Sequence, residues 1–160
     1  MIRTDATIAI VGAGAMGSAI AMGAHRAGRN VTALASRHHD RVRGLAKELG
    51  AVLVTEAADI IEQADVILLC VPDDAIAPVA GTLKEVADKL IVHTAGAKGL
   101  AVLDVAAARG ACTGSLHPVM VVAAGGRGHE ALQGATAAID GNDPACAWLT
   151  EFARDLQMEP

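Results

Sequence analysis

Short apolar runs alternate with stretches of helical spacing along almost the whole chain. The first run, residues 6–11, is β-prone and predicts a strand; residues 18–27, rich in Ala and Met, predict a helix. Val31–Ala35 predicts a second strand. Across His39–Leu49 the apolar positions Val42, Leu45, Ala46 and Leu49 share one helical face, and Gly50 stops the helix. A third strand follows at residues 51–54, then a short helix at 56–63. Residues 65–71 are apolar at nearly every position, the mark of a strand buried on both faces. Pro72 ends that strand, and Asp73 or Asp74 is expected to cap a helix running to about Ala87. Leu90–His93 predicts a fifth strand, residues 102–109 a helix, and residues 111–116 and 135–139 two more strands. Asp143 and Pro144 open a last helix that ends near Leu156.

Strands that alternate with helices at this spacing imply βαβ units. The expected architecture is α/β: a doubly wound, mostly parallel sheet with helices on both faces, in three α/β/α layers. No repeat, low-complexity tract or linker interrupts it, so residues 1–160 are expected to form one dinucleotide-binding domain.

The dinucleotide expectation comes from Gly12, Ala13, Gly14, Ala15, Met16 and Gly17, a GxGxxG run between the first strand and the first helix. Gly12 allows the tight turn, Gly14 the approach of a pyrophosphate, and Gly17 the close packing of helix on strand. The helix N-terminus adds free N–H groups and partial positive charge.

Composition narrows the partners. Aromatic residues are only 1% of the chain, Trp148 and Phe152 in all, which argues against a base-stacking nucleic-acid surface. The net charge of −5 argues the same way. Residues 6–24 carry no formal charge, yet glycines at 12, 14, 17 and 23 and a β-branched first half speak against a membrane span. No signal-peptide pattern is present, and a cytoplasmic chain is expected. Cys70, Cys112 and Cys146 are far apart and odd in number, and are expected as small buried apolar residues without a disulfide or metal.

Candidate chemistry lies where strands end, because open α/β sheets bind ligands beyond their carboxyl edge. Past the second strand stand Ser36, Arg37, His38, His39 and Arg41, with no Asp or Glu between Val31 and His39 to accept from a ribose 2′-OH. A guanidinium forks onto phosphate, so NADP is expected over NAD. Val71 and Pro72 should lie beside the cofactor, as should Thr94 and Ala95. His93 and His117 each close an apolar strand at the ligand edge and are the candidate proton-transfer residues. His25, His38, His39 and His129 are expected to face solvent. The glycine-rich residues 123–128, with Arg127, form a candidate mobile or substrate loop.

Residues 8–17 resemble the cofactor domain of pyrroline-5-carboxylate reductase and the β-hydroxyacid dehydrogenases. Residues 93–97, 114–118 and 132–135 look like a less characterised family of Rossmann-like, NADP-dependent oxidoreductases. The resemblance implies a C-terminal helical domain of unassigned function after this one, absent from these 160 residues. It also implies a small-molecule substrate and a homodimer built mainly through that second domain. The catalytic lysine motif of the β-hydroxyacid dehydrogenases would lie there too. Two function classes remain: hydride transfer to or from a small carbonyl or imine, or a non-catalytic nucleotide-binding or redox-sensing module that needs a partner.

Overall fold

The computed structural model describes residues 2–120 and 128–160. The candidate loop residues 123–127 lie outside the described residues. Among the described residues five α-helices accompany seven strands: β1 Ile8–Val11, α1 Ala15–Arg26, β2 Val31–Ala35, α2 His39–Leu49, β3 Val52–Val54, β4 Val66–Leu69, α3 Ile76–Thr82, β5 Leu90–His93, α4 Asp104–Ala107, β6 Cys112–Pro118, β7 Ala137–Gly141 and α5 Asp143–Asp155. Three short 3-10 turns of helix, Ala57–Gln63, Leu100–Leu103 and Glu130–Leu132, complete the described elements.

The strands form one sheet in the order β3-β2-β1-β4-β5-β6-β7. The pairs from β3 to β6 are parallel, and β7 runs antiparallel to β6. The strand order runs outward in opposite directions from β1 and β4, which places the switch point at the carboxyl ends of these two parallel strands. At their amino ends, the Asp65 carboxylate accepts from both the N–H and the hydroxyl of Thr7, at 3.0 Å each. Those bonds, the backbone one foremost, hold the Asp65 carboxyl below its usual range.

Both faces of the sheet are covered, which is why its strands lack polar alternation. On one face Ile10, Leu34, Leu68 and Val92 pack against Ile20 of α1, Leu49 of α2, and Leu149 and Phe152 of α5. On the other, Val11, Ala35, Ile67 and Ile91 meet Ile60, Ile76, Leu83, Leu103 and Ala106. Three layers result, as expected.

Several local expectations need correction. Residues 57–63 form a 3-10 helix, not an α-helix. Neither Asp73 nor Asp74 caps α3; the cap is Ala75, without a side-chain bond, and the aspartates occupy the preceding turn. That helix stops at Thr82 because Leu83 turns extended. Arg109 then donates to the carbonyls of Gly81 and Leu83, meeting acceptors that a longer helix would have used. The stretch near 102–109 opens as a 3-10 turn before α4. The three cysteines are free but only half-buried. His129 is half-buried, its Nε2 covered and without a hydrogen-bond partner among the described residues, and His39 is half-buried with Nε2 3.2 Å from the Thr55 hydroxyl.

The two aromatic rings belong to α5. Asn142 caps that helix by accepting from the Ala145 N–H, with Pro144 in its first turn. Trp148 and Phe152 stack with centroids 4.8 Å apart. Arg29 lies 5.8 Å over the Trp148 ring, and its Nε donates to Asp155 at 2.7 Å. Phe152 is fully buried among aliphatic neighbours. Phe152→Ala should therefore destabilise the chain by about 3–5 kcal/mol, through lost transfer energy and the cavity left behind. Urea unfolding should show a lower midpoint with a similar slope.

Candidate functional site

Val11 leads straight into the glycine turn, and the three glycines do three separate jobs. Gly12 has φ +90°, a left-handed conformation, and a Cβ there would fall 2.5 Å from the Cys70 carbonyl oxygen. At Gly17 a Cβ would fall 2.0 Å from the Gly12 carbonyl oxygen. Both glycines are thus required by the packing of α1 and β4 on β1. Gly14 differs: nothing lies within 4 Å of where its Cβ would be. It is exposed, it caps α1 without a side-chain bond, and it faces a cleft.

The cleft has a volume of about 670 Å³ and opens at the switch point. Gly12, Ala13 and Gly14 line its floor; Val71 and Pro72 line the β4 side. Ser36, Arg37, His38 and Arg41 line the β2 side. The Ser36 hydroxyl accepts from the His38 N–H at 3.1 Å, which shapes that turn. Arg37 and Arg41 are exposed, and neither has an ion-pair partner among the described residues. Thr55, Glu56 and Asp59 close the β3 side, and Ala75, Val79 and Thr82 extend the wall along α3. Sequence reasoning missed these six. Thr55 and Glu56 directly follow β3, the same signal that identified Ser36.

A dinucleotide fits these groups on chemical grounds. An open glycine at an uncapped helix start suits an anion, and two unpaired guanidiniums on the β2 side suit a second phosphate. Ala15, Met16 and Gly17 are not cleft-lining; Gly17 is buried behind the turn.

Thr94, Ala95, His93 and His117 also lie outside the cleft lining, at the ends of β5 and β6. The register pairs His93 with Ser115, so His93 and His117, two residues further on, share one sheet face. His93 has no solvent-exposed surface, and neither ring nitrogen makes a well-formed hydrogen bond among the described residues, although the Gly99 backbone lies close enough to favour its charged form. Leaving such a group unmet costs about 1–3 kcal/mol, which structures tolerate where a ligand or reaction needs it. His117 is half-buried, with Nδ1 3.1 Å from the Thr94 carbonyl oxygen. Cys70, beside Thr94 on the neighbouring strand, is an inert thiol: burial pushes it up to about 12 despite a hydrogen bond with the Thr94 side chain.

Burial holds the His93 imidazole below its usual value of 6.5. The Gly99 backbone and the Asp73 and Asp140 carboxylates oppose that shift, and His117 adds to it. The folded chain therefore binds the His93 proton less readily than the unfolded chain. Its contribution to stability is complete above 6.5 and is lost as pH falls toward the lower folded value. His93→Gln, which cannot titrate, should lose less stability than the native chain over that window. Urea midpoints compared on either side of it test this, and equal losses would assign the acid sensitivity elsewhere.

Comparison with known proteins agrees with this arrangement. A pyrroline-5-carboxylate reductase of Mycobacterium leprae is 39% identical over 89 residues, covering 54% of this chain and 30% of that protein. A Bacteroides fragilis protein classed as an NADP oxidoreductase superimposes with a TM-score of 0.82 at 22% identity, over 96% of this chain and 58% of that one. An imine reductase from Aspergillus terreus gives a TM-score of 0.76 at 21% identity, over 98% and 54%. The match thus spans under a third of the curated relative's length and a little over half of each solved chain. The family described as NADP oxidoreductase, coenzyme F420-dependent, matches residues 7–107, from β1 through α4. With the glycine turn, the switch-point cleft and the unpaired arginines all inside that stretch, the chain belongs to this family of NADP oxidoreductases.

Proposed function

We propose that this chain is the NADP(H)-binding domain of an oxidoreductase that moves hydride to or from a small imine or carbonyl compound. The observation that carries the reading is the glycine turn, open only at Gly14, beside two guanidiniums that lack carboxylate partners. When bound, the reduced nicotinamide supplies hydride. The chain's own residues bind and orient: the start of α1 takes the pyrophosphate, while Ser36 and Arg37, with Arg41 near, take the 2′-phosphate. Val71, Pro72, Thr94 and Ala95 flank the dinucleotide toward its reacting end. His117, half-exposed at the end of β6, is the proton-handling group there, while His93 is sealed from solvent and has no surface with which to meet a substrate.

The substrate class follows the relatives. Pyrroline-5-carboxylate reductase and imine reductase are named for imine substrates, and an Aspergillus terreus reductive aminase is known with NADPH and ethyl levulinate. Hydride transfer needs substrate pressed against the cofactor with water excluded. One half-exposed histidine supplies only part of one wall of such a pocket. A second domain, of the kind the longer relatives have room for, would complete it and provide the dimer contact. The family description also names coenzyme F420, so that compound belongs in the same assay as cyclic imines and keto acids.

Calorimetric titration tests the reading. NADPH should bind more tightly than NADH. Arg37→Ala should weaken NADPH about ten- to hundredfold, the worth of one charge-assisted hydrogen bond, and leave NADH nearly unchanged. Equal losses for both would remove Arg37 from the 2′-phosphate.

Gly14→Val provides a separate check. Its side chain enters open space, so the fold should persist. Binding of either cofactor should nonetheless be nearly abolished, because the branched side chain occupies the pyrophosphate approach. Undiminished affinity in the folded variant would sink the assignment of the turn.

A further inference from the structure

His117 is held by two contacts, neither to a charged group. Its Nδ1 meets the Thr94 carbonyl oxygen at 3.1 Å. A carbonyl can only accept, so Nδ1 carries the proton and the neutral ring leaves Nε2 bare. The face of the ring at its Nε2 end lies against Gly96. A Cβ built on Gly96 would fall 2.4 Å from Nε2, 2.6 Å from Cε1 and 2.8 Å from Cδ2 of His117, distances that real Cβ atoms do not show. Backbone conformation does not demand glycine at this position. Gly96 is exposed, its φ lies outside the left-handed region, and the three atoms nearest to where a methyl would go all belong to the imidazole.

We propose that the Thr94 carbonyl and the bare Cα of Gly96 form a seat that commits His117 to the Nδ1–H tautomer, with Nε2 as its proton-exchanging atom. Gly96 is then a positioning residue for the hydride-transfer reaction proposed above, and this role rests on that reading. The choice of atom has a chemical consequence. Neutral, Nε2 accepts a proton from a substrate N–H or O–H. Charged, it gives that proton to the substrate's oxygen or nitrogen, and the N–H electron pair stays on the ring. An imine that arrives protonated meets an acceptor already aimed at its N–H. A free imidazole side chain favours the other tautomer, so without the seat the wrong nitrogen would be bare most of the time. The seat belongs to the backbone of the β5 end, and so it travels with the strand that also carries His93.

The test uses the 160-residue chain labelled with nitrogen-15 at histidine and long-range proton–nitrogen spectra at a pH where imidazoles are neutral. Native His117 should show a protonated Nδ1 and a bare Nε2. Gly96→Ala should expel the ring and shift His117 toward the Nε2–H form. An Nε2–H signature in the native chain, or His117 signals unmoved by Gly96→Ala, would overturn the seat. A thermodynamic cycle guards against a folding defect. Any loss of unfolding midpoint caused by Gly96→Ala should vanish in a His117→Ala background, and an equal loss in both would mean that glycine is needed for another reason. NADPH is then added. The native His117 Nε2 signal should move, and that of Gly96→Ala should move less. If NADPH shifts Gly12 to Gly17 but leaves His117 unmoved, the seat does not face the reacting end and the positioning role is wrong. If NADPH shifts nothing, the cofactor reading fails and takes the positioning role with it, while the first spectra still decide the tautomer.

Discussion

The close approach of α1 to β1 and β4 is the constraint on which the rest of this molecule depends. It exists because the Gly12 carbonyl oxygen and the Gly17 backbone occupy space that no side chain could share, and because Gly12 itself presses on the Cys70 carbonyl. A methyl at either place would push α1 away from the sheet. Overpacking of this kind commonly costs about 1–3 kcal/mol. The functional cost would be larger in kind, since the start of α1 would no longer end at the switch point. One contact thus sets both the packing of a principal helix and the position of the N-terminus proposed to take the pyrophosphate.

From that contact the site divides into two halves built by different means. The cleft between β1, β2 and β4 is mostly backbone and small residues, with cations at its β2 side. It is shaped for an extended ligand with phosphate groups. The ends of β5 and β6 are built from side chains, with a sealed imidazole whose ring nitrogens make no well-formed hydrogen bond among the described residues and a second imidazole tied to backbone. Polar groups left unmet inside a protein are costly, so such a place persists where binding or reaction repays it. Acidic groups are not absent from the cleft: Glu56 and Asp59 line its β3 side, yet neither pairs with Arg37 or Arg41. Their presence tempers the cationic field without cancelling the fork that a guanidinium offers.

Much of the fold was legible because parallel strands covered on both faces leave an unmistakable mark. The run from Asp65 to Val71 is the clearest case, and it became the strand next to β1 at the centre of the sheet. Boundaries were less legible. Residues 73–87 look like one helix, but α3 ends at Thr82, where Arg109 donates from across the fold to the carbonyls of Gly81 and Leu83. No local pattern announces that help. The same holds for the cysteines: their apolar company along the chain suggests burial, yet all three are only half-covered.

The amino-acid sequence by itself determined the layer order, the glycine turn between β1 and α1, and the arginine-for-acid exchange after β2. Each of these is a local rule of spacing or of which residue can adopt a given backbone form. Tertiary structure alone decided what the candidate residues meet. It brought Thr55, Glu56, Asp59 and the wall of α3 to the cleft, and it kept His93 and His117 outside that lining. It also sealed His93 from solvent, set the His117 ring against Gly96, and gave Nδ1 the Thr94 carbonyl. The physical reason is distance along the chain. Glycine 96 and histidine 117 are separated by an entire crossover, and only the parallel pairing of β5 with β6 sets the register that makes them touch.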